Sequence, residues 1–155
     1  MIYLKLKIDN FYMFKETQFD FTYPKKTTNS TIKGEFLTEF PKINYKKVCI
    51  LMGANASGKT SLGKVMCSIN NYLWGRSVEG IPETMCNKDE NASIKMIYVT
   101  PETKEIHKLI VVFNKDGLIK ESHQVQPLKK TYNLEKTLET LENSVPQFIY
   151  NQEKN

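Results

Sequence analysis

Eight consecutive residues, Gly53-Ala54-Asn55-Ala56-Ser57-Gly58-Lys59-Thr60, carry two glycines, a lysine and a hydroxyl at the spacing G-x-x-x-x-G-K-[ST] of a phosphate-binding P-loop. Gly53 and Gly58 open backbone conformations closed to other residues, so successive N–H groups can turn inward as a nest for an anion. Lys59 is a flexible point charge able to reach the β- and γ-phosphates of a nucleotide, and the Thr60 hydroxyl is placed to ligate Mg²⁺. The N–H groups of 55–60 would surround the β-phosphate, and Ser61 would reach the α-phosphate. The expected nucleotide-binding set is therefore Gly53, Ala54, Asn55, Ala56, Ser57, Gly58, Lys59, Thr60 and Ser61.

Such a loop works only between a strand and a helix. Lys47-Val48-Cys49-Ile50-Leu51-Met52 is an apolar run of strand length immediately before it. Behind it Leu62, Val65, Met66, Ile69 and Leu73 recur at helical spacing, and the positive end of that helix would add to the same site.

Ahead of this unit, Ile2, Leu4, Leu6 and Ile8 alternate with polar residues, which predicts a strand with one buried face. Residues 17–23 alternate again through Phe19 and Phe21, giving the second strand of an antiparallel ribbon. A polar loop is expected over 24–31, and a further strand over 32–40, ended by Pro41. Beyond the helix, 76–91 contains Gly80, Pro82 and several charges without periodicity, and reads as an exposed, flexible insertion. Segments 93–100, 106–114 and 118–125 predict a three-strand meander, with turns at 101–104 and 114–117. Leu134, Leu138 and Leu141 space out a short amphipathic helix, and 148–151 is a short apolar strand.

At 155 residues, with 40% hydrophobic side chains, the chain is one globular domain's worth. Three cysteines without C-x-x-C pairing argue against a disulfide framework or a zinc site and suit a reducing cytoplasm. The N-terminus lacks a signal-peptide pattern and no apolar run reaches bilayer length, so no membrane partner is expected. The net charge of +5 suits a polyanion such as DNA, although the lysines fall in scattered doublets rather than one stripe.

Hydrolysis of a nucleotide needs a second Mg²⁺-side carboxylate at a strand end and a group that positions water. The best candidate strand is Leu109-Ile110-Val111-Val112-Phe113, but Asn114 stands where the aspartate should be, and 114–117 reads as a hairpin turn. Neither 87–90 nor 114–117 completes the guanine-specifying N-K-x-D pattern. His107 and His123, without a spaced carboxylate or cysteine partner, read as strand-surface residues, and no catalytic residue is assigned from them.

Leu6-Lys7-Ile8-Asp9-Asn10-Phe11, then Phe14-Lys15-Glu16, a return strand ending Phe19-Asp20-Phe21, and the G-x-N-x-S-G-K-T loop together resemble the N-terminal lobe of ABC-type ATPases of the SMC, RecF and OLD group, within the AAA family of P-loop ATPases. The resemblance implies a fold of α/β class with α+β character: a central strand-loop-helix flanked by an antiparallel sheet, in a single lobe over 1–155. It implies ATP and Mg²⁺ as cofactors, and places Phe14 and Lys15 near the nucleotide. Gln152 would be the Q-loop glutamine touching Mg²⁺ and the water site, with Gln147 as the rival position. Tyr12 departs from the basic residue often found in that loop.

The group's signature segment, Walker B Asp-Glu pair and switch histidine are not in these residues. The expectation is a fragment, or a subunit completed by a C-terminal lobe or partner chain. Two completed heads would clamp two ATP molecules in a dimer acting on DNA, in repair, chromosome maintenance or phage defence. The alternatives are a small P-loop phosphotransferase, disfavoured by about fifty residues ahead of the loop and by Arg76 as the sole arginine, and a non-catalytic interaction module.

Overall fold

Ile2, Leu4, Leu6 and Ile8 alternate along the first strand, β1 (Ile2–Asp9), yet they do not share a face. The register of β1 against β5 (Ala92–Thr100) shifts between Tyr3 and Lys5, and one extra residue in a strand reverses its alternation. Leu6 and Ile8 consequently enter one core cluster, and Leu4 the other. The sequence predicts a strand with one buried face; the bulge makes it one that serves both.

The computed structural model describes residues 1–23, 31–75 and 80–152. Its main sheet has the order β2-β1-β5-β6-β7-β8, with β2 spanning Thr17–Asp20, β6 Glu105–Asn114, β7 Gly117–Pro127 and β8 Phe148–Asn151. Every pairing in it is antiparallel. Strands β3 (Phe36–Leu37) and β4 (Phe40–Asn44) make a separate two-stranded ribbon. The architecture is mixed α and β, with a mostly antiparallel sheet and, among the described residues, two α-helices. Pro41 lies inside β4 rather than ending a strand, at an exposed position where the β3–β4 register is irregular and no ladder N–H is demanded. The polar loop expected over 24–31 falls, except for Thr31, outside the described residues.

Helix α1 (Lys59–Gly75) buries Leu62, Val65, Ile69 and Tyr72 on the face of the sheet that carries Leu6, Ile8, Met96, Leu109 and Phe113. Each fully buried aliphatic side chain contributes roughly 1.5–3 kcal/mol, so this stripe fixes the helix to the sheet. Phe113 joins Phe11 and Tyr72 edge-to-face at centroid distances of 6.1 and 6.3 Å, and the Tyr72 hydroxyl donates to the buried Glu121 carboxylate.

The opposite face packs Leu4, Ile97, Val99 and Ile106 against the β3–β4 ribbon and helix α2 (Leu134–Glu142), whose Leu141 is fully buried. Asn133 caps α2, its side chain accepting from Lys136 N at 2.9 Å, and Glu142 pairs with Lys95 and Lys108 of the sheet. The meander and its turns form as predicted. Asn114 Oδ1 accepts from Asp116 N and Gly117 N at 2.9 and 3.0 Å, so that asparagine closes a hairpin.

Of the expected exposed insertion at 76–91, residues 76–79 lie outside the described residues. The remainder is tied to the core: Ile81 and Met85 are buried on either side of a 3-10 turn at Pro82–Thr84, while 86–91 is exposed. Two apolar side chains four residues apart, with no strand or helix around them, gave no periodic signal.

Candidate functional site

Residues 53–60 form an exposed loop ending in the first turn of α1. Gly58 (φ 84°) and Ala56 (φ 63°) both adopt the left-handed conformation, so the chain reverses within four residues. Ser57 N donates to Ala54 O at 3.3 Å, and Leu62 N to Gly58 O at 2.9 Å, the second bond starting the helix. A Cβ on Gly53 would lie 2.8 Å from Ser57 Oγ and 3.3 Å from its Cβ, so any larger residue there would have to displace the Ser57 side chain.

The Lys59 ammonium folds back into this loop. Its Nζ donates to Gly53 O at 2.7 Å, Ala54 O at 2.6 Å and Ser57 Oγ at 3.0 Å, which uses all three donors of the ammonium. The first N–H groups of α1 have no intrahelical acceptor, and its first turn has no acidic residue to offset the positive helix end. An anion arriving here meets a helix terminus and a cation held by exposed carbonyls. Thr60 is exposed beside it and Ser61 half-buried.

The run 47–52 departs from expectation. It has no strand, and Val48, Ile50, Leu51 and Met52 are 57%, 76%, 53% and 86% exposed. Alternate side chains of an apolar run are thus exposed on both of its sides, although such runs belong in strands covered on both faces. Backbone that finds no neighbouring strand gains nothing from being extended, and among the described residues none lies alongside this run.

The 10–16 turn rests on the loop. A Cβ on Gly58 would lie 2.7 Å from Met13 Sδ and 3.5 Å from Phe14 Cε1. Phe14 therefore reaches the loop, whereas Lys15 is exposed and no hydrogen bond joins it to 53–61 among the described residues. Met13, half-exposed beside Gly58, is the contact the sequence did not reveal. The pairing joins segments far apart in the chain, and no pattern marks it.

Gln152 follows the end of β8 and is exposed. The register carries Asp9 through Ser93, Val112 and Lys120 to Asn151, so Gln152 lies at the sheet end from which the 10–16 turn emerges. Four strand spacings separate it from β1, roughly 19 Å. Among the described residues no hydrogen bond joins it or Gln147 to 53–61; Gln147 N donates instead to His123 O at 2.8 Å. Nor, among the described residues, is any group of three His, Cys, Asp or Glu side chains arranged to hold a metal ion.

His107 is not a surface residue, and His123 is partly buried beside it. His107 is 8% exposed and stacks on Tyr98 at 4.7 Å, while His107 Nδ1 and His123 Nε2 approach to 3.2 Å and Thr100 Oγ1 and His107 Nε2 to 2.8 Å. Burial first, and then the neighbouring His123, hold the His107 imidazole down to about 4 against the pull of Glu105. His123 and Tyr98 border a cavity of about 330 Å³ beside Leu73 and Trp74, at the C-terminal end of α1. A helix of 17 residues spans about 25 Å, which separates this cluster from the 53–60 loop.

Comparison with protein-family models and with curated proteins gives no match to this chain. Among the described residues no helix is long and apolar enough to cross a membrane.

Proposed function

We propose that this chain is the ATP-binding half of a DNA-associated ABC-type ATPase, acting in repair, chromosome maintenance or phage defence. The observation that carries the reading is the Lys59 ammonium curled onto Gly53 O and Ala54 O in a loop opening a 17-residue helix. Carbonyl acceptors hold that cation only until an anion offers stronger, charge-assisted bonds. On ATP binding Lys59 would exchange them for β- and γ-phosphate oxygens, and the N–H groups at the start of α1 would face the β-phosphate. Mg²⁺ would be held by the phosphates and the Thr60 hydroxyl; a magnesium site draws most of its ligands from phosphate and water.

The chain's half-site character is supported by what surrounds the loop. The exposed apolar run 47–52 fits a strand whose neighbours belong to a C-terminal lobe or partner chain, and Asn114 caps a hairpin where a carboxylate would be needed. A lobe of this kind binds ATP and leaves its hydrolysis to the completed, dimeric head. Phosphate release by the purified chain at the level of a working ATPase, abolished by Lys59→Ala, would overturn the half-site reading. Transfer of the terminal phosphate to a nucleoside monophosphate would favour a phosphotransferase instead.

A further inference from the structure

We infer that Asn10 is a positioning residue for the 53–60 loop: its carboxamide fixes the turn that rests on Gly58 and joins it to the exposed segment 86–91. The inference rests on the proposed phosphate site and names how that site is held in shape.

Asn10 follows the last residue of β1 in the left-handed conformation (φ 59°) and is 7% exposed. Its Nδ2 donates to Asn87 O at 2.8 Å, Glu90 O at 3.1 Å and Asn91 O at 3.3 Å, and its Oδ1 accepts from Asn87 N at 2.8 Å. Its own carbonyl accepts from Cys86 N at 3.2 Å. One side chain thus organises most of 86–91, a segment with no helix or strand of its own.

The next residues carry the constraint to the loop. Phe11 is buried and bridged to both Phe14 and Met85, Tyr12 N donates to Thr84 O at 2.7 Å, and Phe14 N to Phe11 O at 2.8 Å. Asp9 Oδ1 accepts from Glu16 N at 2.9 Å and closes the turn. Within it Asn10, Tyr12 and Glu16 all have positive φ, at 59°, 50° and 45°. Non-glycine residues leave that conformation unless their surroundings hold them in it. What holds them here is the pairing with 84–91, and what the turn presents is Met13 and Phe14 against Gly58.

The inference is tested by amide NMR on the isotope-labelled full chain. Asn10→Gly keeps the backbone conformation open and removes only the carboxamide. It should shift or broaden the Gly58 amide while the Gly117 amide, in the β6–β7 turn, stays in place, and should weaken ATP binding about tenfold. Asn87→Pro removes the N–H that Asn10 Oδ1 accepts, together with the Asn87 Oδ1 that accepts from Asp89 N, at an exposed position outside the core. It should disturb Gly58 in the same direction, which a local stability defect at Asn10 would not produce.

A Gly58 amide at its wild-type shift in both folded variants, with only 84–91 perturbed, overturns the inference. The shift measurement needs no nucleotide. If the wild-type chain fails to bind ATP, the proposed function falls while the Gly58 result still decides the role of Asn10.

Discussion

Lys59 Nζ lies 2.7 Å from Gly53 O, so the first residue of the eight-residue loop is tied to the first residue of the helix that follows it. The bond is exposed to water, and exposed hydrogen bonds contribute little net stability, about 0.5–1.5 kcal/mol. Lys59→Ala should therefore lower the melting temperature by no more than a few degrees. A collapse of the fold in that variant would give Lys59 a structural role that its exposure does not support.

Gly58→Ala should cost roughly 1–2 kcal/mol, because φ is 84° and a side chain there is strained whatever the space around it. The same Cβ would meet Met13 Sδ at 2.7 Å. That sulfur lies near the end of a flexible, half-exposed side chain, so Met13→Ala in the same molecule should recover only a minor part of the loss. Thermal melts of the single and double variants check this; full recovery would mean that the clash, and not the backbone, sets the cost.

Ile50→Glu with Leu51→Lys should leave the melting temperature nearly unchanged, since both side chains are more than half exposed. The pair should raise solubility and reduce concentration-dependent association, because an exposed apolar run with unpaired backbone is a site of self-association. Light scattering across a concentration series reads the effect. A large loss of stability would show that the run is covered in solution.

Acid should weaken the fold through His107. Its imidazole protonates near 4 when folded and near 6.5 when unfolded, so the unfolded chain takes up the proton first. Stability from this group is intact above pH 6.5, falls between 6.5 and 4, and then levels off. The loss is on the order of 2 kcal/mol once partial solvent screening of the cluster is allowed for. His107→Phe retains a ring against Tyr98 and should flatten the difference in melting temperature between pH 6.5 and 4. An unchanged slope would place the titrating group elsewhere.

The parts legible in the sequence are those whose signal is local. Leu62, Val65 and Ile69 repeat on one helix face, and of the strands 92–100, 105–114 and 117–127 the last two are joined by a turn that Asn114 and Gly117 announce. The loop's residue types were visible for the same reason. What stayed hidden depends on other segments. The bulge at Leu4 is set by pairing with β5, and Met13 meets Gly58 only because Asn10 and 84–91 fold the turn over it. His107 and His123 come within hydrogen-bond distance through the β6–β7 register, which neither residue's own surroundings encode. The run 47–52 shows the converse: its sequence reads as a strand, but a strand needs a neighbour, and propensity alone does not supply one.

Isothermal titration of the purified chain with ATP in the presence of Mg²⁺ tests the central proposal most directly. The expected result is saturable one-to-one binding that Lys59→Ala weakens at least tenfold while that variant keeps its fold. Absence of binding heat from the folded wild-type chain, or equal affinity in wild type and Lys59→Ala, would contradict it.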